Sequence, residues 1–200
     1  MPEQIDKKDE DYFMQAINRF LPVNQADREL IVPYLRYRTL QKGECWIQEG
    51  RTETALGLVL EGNLRQYYTK DGEEKTTYFY FEPHLISSYF SCIKNKPSEL
   101  TIEALTDCRL ITFTYQRLQQ LFEQSKTWER FGRLIAEYAA MGLEERMVAL
   151  LTLSPEERYI QLLQSSKHKI LERIPQHYIA NYLGITPVSL SRIRSRVTPK

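Results

Sequence analysis

Between Thr39 and Phe113 the chain is cut into short β-type runs, CWIQ, LGLVLEG, LRQYYT, KTTYFYF, LTIEAL and RLITFT, separated by Gly, Asp-Gly and Pro signals. Runs of this length, rich in β-branched and aromatic residues, read as strands. Gly43, Gly50 and Gly62 supply turn positions, and Asp71-Gly72 is a strong hairpin signal because the pair accepts positive φ at low cost. The pattern predicts a compact antiparallel barrel or roll.

Both flanks are helical. Phe13, Ile17, Phe20 and Leu21 recur at helical spacing ahead of the roll, with a shorter turn at Leu30, Ile31 and Tyr34. After the roll, Tyr115 to Phe122 reads as a short helix and Thr127 to Thr152 as a long one. The long helix carries Phe131, Leu134, Tyr138, Met141, Val148 and Thr152 at steps of three and four, interrupted by Glu145. Such a stripe packs either on the chain's own roll or on a second copy as a parallel seam. We favour the seam, formed by Phe131, Leu134, Tyr138, Met141 and Val148, because Ile135, Leu143 and Leu151 lie off the stripe and leave a second apolar face for the roll.

Ser154-Pro155-Glu156-Glu157 is a helix start: Ser as N-cap, Pro at the first position and Glu at the third, where it completes a capping box. Leu153-Ser154 is therefore the predicted joint. The expected division is 1–126 as a roll with its N-terminal helices, 127–153 as the connecting and dimerising helix, and 154–200 as a C-terminal module.

The stretch IANYLGITPVSLSRIRSR, Ile179 to Arg196, sets a Gly between two helical patterns and a Pro just inside the second. Gly184 can take the left-handed conformation that ends one helix, Ile185 can plug a small core, and Thr186 can cap the helix opened by Pro187. That is a helix-turn-helix. With Leu190, Ile193 and Val197 inward, Val188, Ser189, Arg192 and Arg196 fall on the wet face, where they can enter a major groove. Arg194 and Lys200 are placed for phosphates. Gln176 and Thr186, at the starts of the two helices, complete the predicted DNA-contacting set.

Charge agrees with this reading. Residues 155–200 hold eight Lys/Arg against three acids, a balance of +5, whereas the remainder holds nineteen against twenty-three, a balance of −4. A basic module on an acidic body suits a polyanion partner, although a solvated charged surface gives the same count. No apolar run is long enough to cross a bilayer and the N-terminus is acidic and polar, which places the protein in the cytoplasm. Cys45, Cys92 and Cys108 are widely spaced with no C-x-x-C, so they read as buried apolar side chains with no disulfide framework or cysteine zinc site.

At this point the chain resembles the Crp/Fnr family of bacterial transcription regulators over nearly its whole length. KGECWIQEGRTETALGLVLEGNLRQYYTKDGEEK, Lys42 to Lys75, looks like the family's cyclic-nucleotide-binding β-roll. The long helix is similar to its dimer helix, and IPQHYIANYLGITPVSLSRI to its helix-turn-helix, including Gly184, Leu190, Arg192 and Ile193. The resemblance implies an α+β fold: an N-terminal antiparallel β-roll (a double-stranded β-helix) with flanking helices, a long dimerisation helix and a C-terminal helix-turn-helix. It implies a homodimer on a palindromic duplex with half-sites about one helical turn apart. The chain stops three residues after Val197, so the wing that usually follows is expected to be short or absent.

The ligand pocket departs from that family. Nucleotide-binding members carry Gly-Glu followed by Arg-Ser or Arg-Thr, because a cyclic phosphate needs a guanidinium and a ribose hydroxyl a carboxylate. Here Ser87-Ser88 and Ser98-Glu99 stand in those places, and Glu99 repels phosphate. Cyclic AMP is not expected to bind tightly, which leaves the roll to sense another small molecule through Ser87, Ser88, Ser98 and Glu99, or none.

Two other functions compete. A cupin-type metal enzyme needs at least two imidazoles beside a carboxylate, and only His84 lies in the roll. No nucleophile elbow, phosphate loop or H-E-x-x-H is present, so no catalytic residue, metal or cofactor is assigned. The second competitor is a sensor or protein-interaction module with a degenerate helix-turn-helix.

Overall fold

The computed structural model describes residues 4–165 and 168–197. Helices α1 (Lys7–Asn18) and α2 (Gln25–Ile31) come first, each opened by a side-chain cap: Asp6 accepts from the Asp9 amide and Asn24 from the Asp27 amide. A 3-10 turn, Val32–Tyr34, leads into the strands. These are β1 (Arg36–Leu40), β2 (Cys45–Ile47), β3 (Ala55–Glu61), β4 (Leu64–Lys70), β5 (Glu73–Tyr80), β6 (Leu85–Ile86), β7 (Thr101–Ala104) and β8 (Cys108–Thr114). The short helix α3 (Tyr89–Lys94) lies between β6 and β7. Six helices follow: α4 (Tyr115–Gln124), α5 (Lys126–Thr152), α6 (Pro155–Gln164), α7 (His168–Arg173), α8 (Gln176–Leu183) and α9 (Pro187–Val197).

The strands form two four-stranded sheets, ordered β1-β8-β3-β6 and β2-β7-β4-β5, with all pairs antiparallel. This is the α+β roll that the turn spacing predicts. Asp71 and Gly72 form its clearest hairpin, both at positive φ, with Lys70 opposite Glu73. Strands β1 and β6 and helices α3 and α7 carry no sequence signal strong enough to predict them.

The period of two along a strand divides the interior. On β3 and β8, Leu58, Ile111 and Phe113 face the helices and join a core with Phe13, Ile17, Leu121, Trp128 and Phe131. Their neighbours Val59 and Leu110 face the other way and meet Leu64, Ile102 and Ala104 between the sheets. Cys92 and Cys108 are buried as expected, whereas Cys45 is exposed because β2 turns that position outward.

The long helix is clamped at its start. Ser125 caps it, accepting from the amides of Thr127 and Trp128, and donates to Asp27 at 2.5 Å. Trp128 Nε1 donates to the Asp27 carbonyl at 3.0 Å. At the far end the predicted capping box is present: Glu157 donates its amide to Ser154 Oγ at 3.3 Å and accepts from the Ser154 amide at 2.7 Å. A third core, built from Tyr159, Leu162, Ile179, Ala180, Leu183, Leu190 and Ile193, also takes in Phe79 and Phe81 from the roll. Among the described residues no helix is long and apolar enough to cross a membrane.

Gly62 shows how tightly the roll is closed. It sits at φ +100°, and a Cβ there would lie 2.5 Å from both the Asp107 carbonyl oxygen and Cys108 Sγ. Gly62→Ala is expected to lower stability by about 2–4 kcal/mol in urea unfolding, from strain and clash together. Gly72→Ala, with nothing within 4 Å of its Cβ position, should cost about 1 kcal/mol. Equal losses would mean that the contact at Gly62 is not the cause.

Candidate nucleic-acid interface

Helix α8 ends at Gly184, φ +73°, and the Ile185 amide reaches back to the Ala180 carbonyl at 3.0 Å. A left-handed glycine permits this sharp stop at little cost. Thr186 Oγ1 then accepts from the Ser189 amide at 3.2 Å and caps α9, so the turn chemistry is as predicted. Leu190 and Ile193 are buried, while Val188 is 61 % exposed and Arg192, Arg194 and Gln176 face solvent. Among the described residues neither Arg192 nor Arg194 has an acidic partner.

Two predicted contacts are partly committed elsewhere. Ser189 is half-buried and shares a hydroxyl–hydroxyl bond with Thr186 at 3.0 Å. Arg196 pairs with Glu156 of α6 at 2.6 Å, an exposed pair that a polyanion can exchange into at little cost. Lys200 and any wing beyond Val197 lie outside the described residues.

The helix-turn-helix lies against the roll through contacts that the sequence does not advertise. Asn181 on α8 bonds the open side of β5 like a strand, accepting from the Thr76 amide at 2.7 Å and donating to the Glu74 carbonyl at 2.8 Å. Beside it Arg65 of β4 is 2 % exposed, with its guanidinium 4.2 Å from the Tyr67 ring and 4.1 Å from the ring of Tyr178 on α8. Glu74 and Glu103 accept from it at 2.6 and 2.9 Å. Burial pulls this guanidinium's pKa down, and the two carboxylates more than reverse the effect. Two further arginines tie down the end of α8. Arg158 donates to Leu183 O at 2.9 Å and to Leu153 O at 2.6 Å; Arg146 donates to Tyr182 O.

The long helix is packed at its start and exposes apolar side chains on two sides further along. Phe131 is 2 % exposed in the chain's own core and Leu134 packs against that core. Tyr138 meets the Phe20 ring edge-on at 5.7 Å. Met141 and Val148 line a groove of about 430 Å³ shared with Thr152, Leu153 and Gln161, facing α6. The start of the predicted seam is thus buried in the chain's own core, whereas Tyr138, Met141 and Val148, further along, are 52 %, 56 % and 48 % exposed. Leu143 and Leu151, assigned to the roll, are instead 65 % and 77 % exposed. With Met147 (55 %) and Leu150 (46 %) they make a bare apolar stripe, at steps of four and three, that the sequence already contained.

The expected ligand pocket closes on itself. Ser88 and Ser98, both buried, share a bond at 2.9 Å, and Ser98 donates to the Leu100 carbonyl at 2.8 Å. Ser87 reaches the Ala55 carbonyl at 3.4 Å, and Ser91 donates to Lys96 O at 2.6 Å. Glu99, Lys94 and Lys96 are exposed, Lys94 over the Phe90 ring. These serines hold one another, and the segment from Leu85 to Leu105 contains no arginine. His84 is structural: its Nδ1 accepts from the Phe81 amide at 3.2 Å. Among the described residues no group of three or more His, Cys, Asp or Glu could hold a metal.

Comparison with known proteins agrees with this architecture. Residues 37–125 match the model of the cyclic nucleotide-binding domain. The chain is 32% identical over 189 residues to the transcriptional regulatory protein Btr of Bordetella pertussis, covering 88% of this chain and 76% of that protein. Among solved structures, FixK2 from Bradyrhizobium japonicum superposes with a TM-score of 0.69 at 17% identity, covering 82% of this chain and 84% of that one. A putative Crp/Fnr-family regulator from Eubacterium rectale gives 0.67 at 22% identity, covering 87% and 83%.

The Arg65 cluster yields a test. Arg65→Ala empties the space between two rings and strands two carboxylates; it is expected to cost about 2–4 kcal/mol in urea unfolding and to speed proteolysis at the Leu153-Ser154 joint. Glu74→Gln, at a side chain 44% exposed, should cost under about 1 kcal/mol and leave proteolysis unchanged.

Proposed function

The chain belongs to the Crp/Fnr family of transcriptional regulators, and from that premise we propose that it is a homodimeric, sequence-specific DNA-binding protein of the cytoplasm. Its α9 is the helix that enters the major groove. The observation that carries this reading is the state of α9: Leu190 and Ile193 fix its inner face, while Val188, Arg192 and Arg194 stand in solvent, neither arginine ion-paired among the described residues. An arginine one turn into such a helix can read guanine O6 and N7, and an aliphatic neighbour can touch a thymine methyl. Arg194, Arg196 and Gln176 serve the phosphates and the register, and Thr186 and Ser189 hold the helix start in shape.

The division of labour follows: 1–126 is the sensing roll, 127–153 the dimerising helix and 154–200 the DNA-binding module. We assign the dimer contact to Leu143, Met147, Leu150 and Leu151, the side of α5 that carries its two most exposed apolar side chains, Leu143 and Leu151. Two copies joined there present two α9 helices to one palindromic operator. Cyclic AMP is not the effector of the roll. The closed Ser88–Ser98 pair and the lack of an arginine in that segment support this, since a buried cyclic phosphate without a guanidinium forfeits its strongest contact.

Three outcomes test the reading. Arg192→Ala should reduce discrimination among duplexes by about 1–3 kcal/mol, whereas Arg194→Ala should weaken all duplexes alike; identical profiles would refute the roles. Affinity for duplex DNA should fall steeply as salt rises, whereas a shallow slope would point to a protein partner. Leu143→Glu with Met147→Glu should give monomers by sedimentation, while Met141→Glu should leave the dimer intact; the reverse pattern would return the seam to the Met141 side.

A further inference from the structure

A second cavity, of about 300 Å³, opens where the modules meet. Its wall draws on Arg19 at the end of α1, Tyr78 of β5, Phe81 after that strand, Tyr138 of α5, Lys169 of α7 and Tyr182 of α8. This volume lies at the lower end of the range used by small organic ligands. It lies apart from the serine segment at Ser87 to Ser98, which contributes nothing to its wall.

Most of the polar groups in this wall are donors: Arg19, Lys169 and the hydroxyls of Tyr78, Tyr138 and Tyr182, beside His84 and the carboxylate of Glu82. None of the hydroxyls of Tyr78, Tyr138 and Tyr182 has a hydrogen-bond partner among the described residues. The three lie close enough to sense one another's charge, and burial first, then Tyr138 and Tyr182, pushes the Tyr78 phenol up to about 12. It therefore stays protonated and able to donate at any physiological pH. Arg19 forms no ion pair among the described residues. The carboxylate in the wall, Glu82, is held through Oε1 by Arg173 at 2.6 Å and Lys169 at 3.6 Å, while its buried Oε2 has no hydrogen-bond partner among the described residues. Aromatic faces, three phenol donors and an uncommitted guanidinium suit a flat ring bearing a negative charge.

We propose that this junction cavity is a binding site for a planar aromatic carboxylate, the ring lying among the tyrosine and phenylalanine faces and the carboxylate meeting Arg19 and the tyrosine hydroxyls. An occupant touches the roll through Tyr78, the long helix through Tyr138 and the helix-turn-helix module through Lys169 and Tyr182. It favours whichever arrangement of the three keeps these groups together. By linkage, operator DNA must change the affinity for the acid by the same factor as the acid changes affinity for DNA. Only this last consequence rests on the DNA-binding reading; the site itself does not.

The test is calorimetric titration of the full chain with 4-hydroxyphenylacetate and indole-3-acetate, with neutral 4-hydroxybenzyl alcohol as control. At least one acid should bind saturably, one per chain, with the alcohol at least tenfold weaker. Arg19→Gln, at an exposed position, and the conservative Tyr182→Phe should each weaken that binding at least fivefold, while Ser88→Ala leaves it unchanged. No saturable binding of either acid, equal binding of the alcohol, or binding indifferent to both Arg19→Gln and Tyr182→Phe overturns the proposal. Duplex binding by the same proteins without any acid is measured separately. Loss of the DNA reading would show there, and failure of the cavity in the titrations.

Discussion

A buried guanidinium governs how the two ends of this protein fit together. Arg65 sits on a strand in the middle of the second sheet, where water does not reach it. Leaving such a charge alone would cost several kcal/mol, so the fold surrounds it with Glu74, Glu103 and the rings of Tyr67 and Tyr178. Three of these partners belong to the roll, but Tyr178 belongs to α8. The roll's own electrostatics are complete only when the helix-turn-helix lies against β5, and Asn181 fixes the register of that contact.

The same contact changes the meaning of the C-terminal charge. Counted along the sequence, the last segment carries an excess of +5, which looks like a surface made wholly for a polyanion. In the fold Arg158 is spent on the carbonyls of Leu153 and Leu183, and Arg173 and Lys169 on Glu82. Helix ends leave carbonyls without partners, and a guanidinium is a good way to satisfy several at once. What remains outward-facing is a small set on α9, and its specificity comes from placement rather than from total charge.

Legibility in the sequence followed the range of the interactions. The roll, the capping box at Ser154 and the turn at Gly184 are local, set by residues within about four positions of one another, and all were readable. Arg65 was not, because its partners come from positions 74, 103 and 178. The choice of side on α5 for another molecule is likewise not fixed by local sequence. Periodicity identified two apolar faces on that helix, and nothing local says that Leu143 and Leu151, given there to the roll, would be left in solvent, 65 % and 77 % exposed. The serines from Ser87 to Ser98 misled in the opposite direction: a cluster of hydroxyls resembles a site until its members are seen to bond one another.

Helix α5 is rooted at its start and tied again near its end, where Arg146 donates to the Tyr182 carbonyl and Ala149 is buried. Trp128 and Phe131 are embedded at one end, and the helix then runs on past Leu143 to Leu151 with those two side chains in the open. At a rise of about 1.5 Å per residue, Phe131 and Leu151 stand roughly 30 Å apart along the axis, so a tilt of about 5° at the root displaces the tip by roughly 2.6 Å. A disturbance too small to unpack the root is thus magnified into a step comparable to the spacing between neighbouring base pairs.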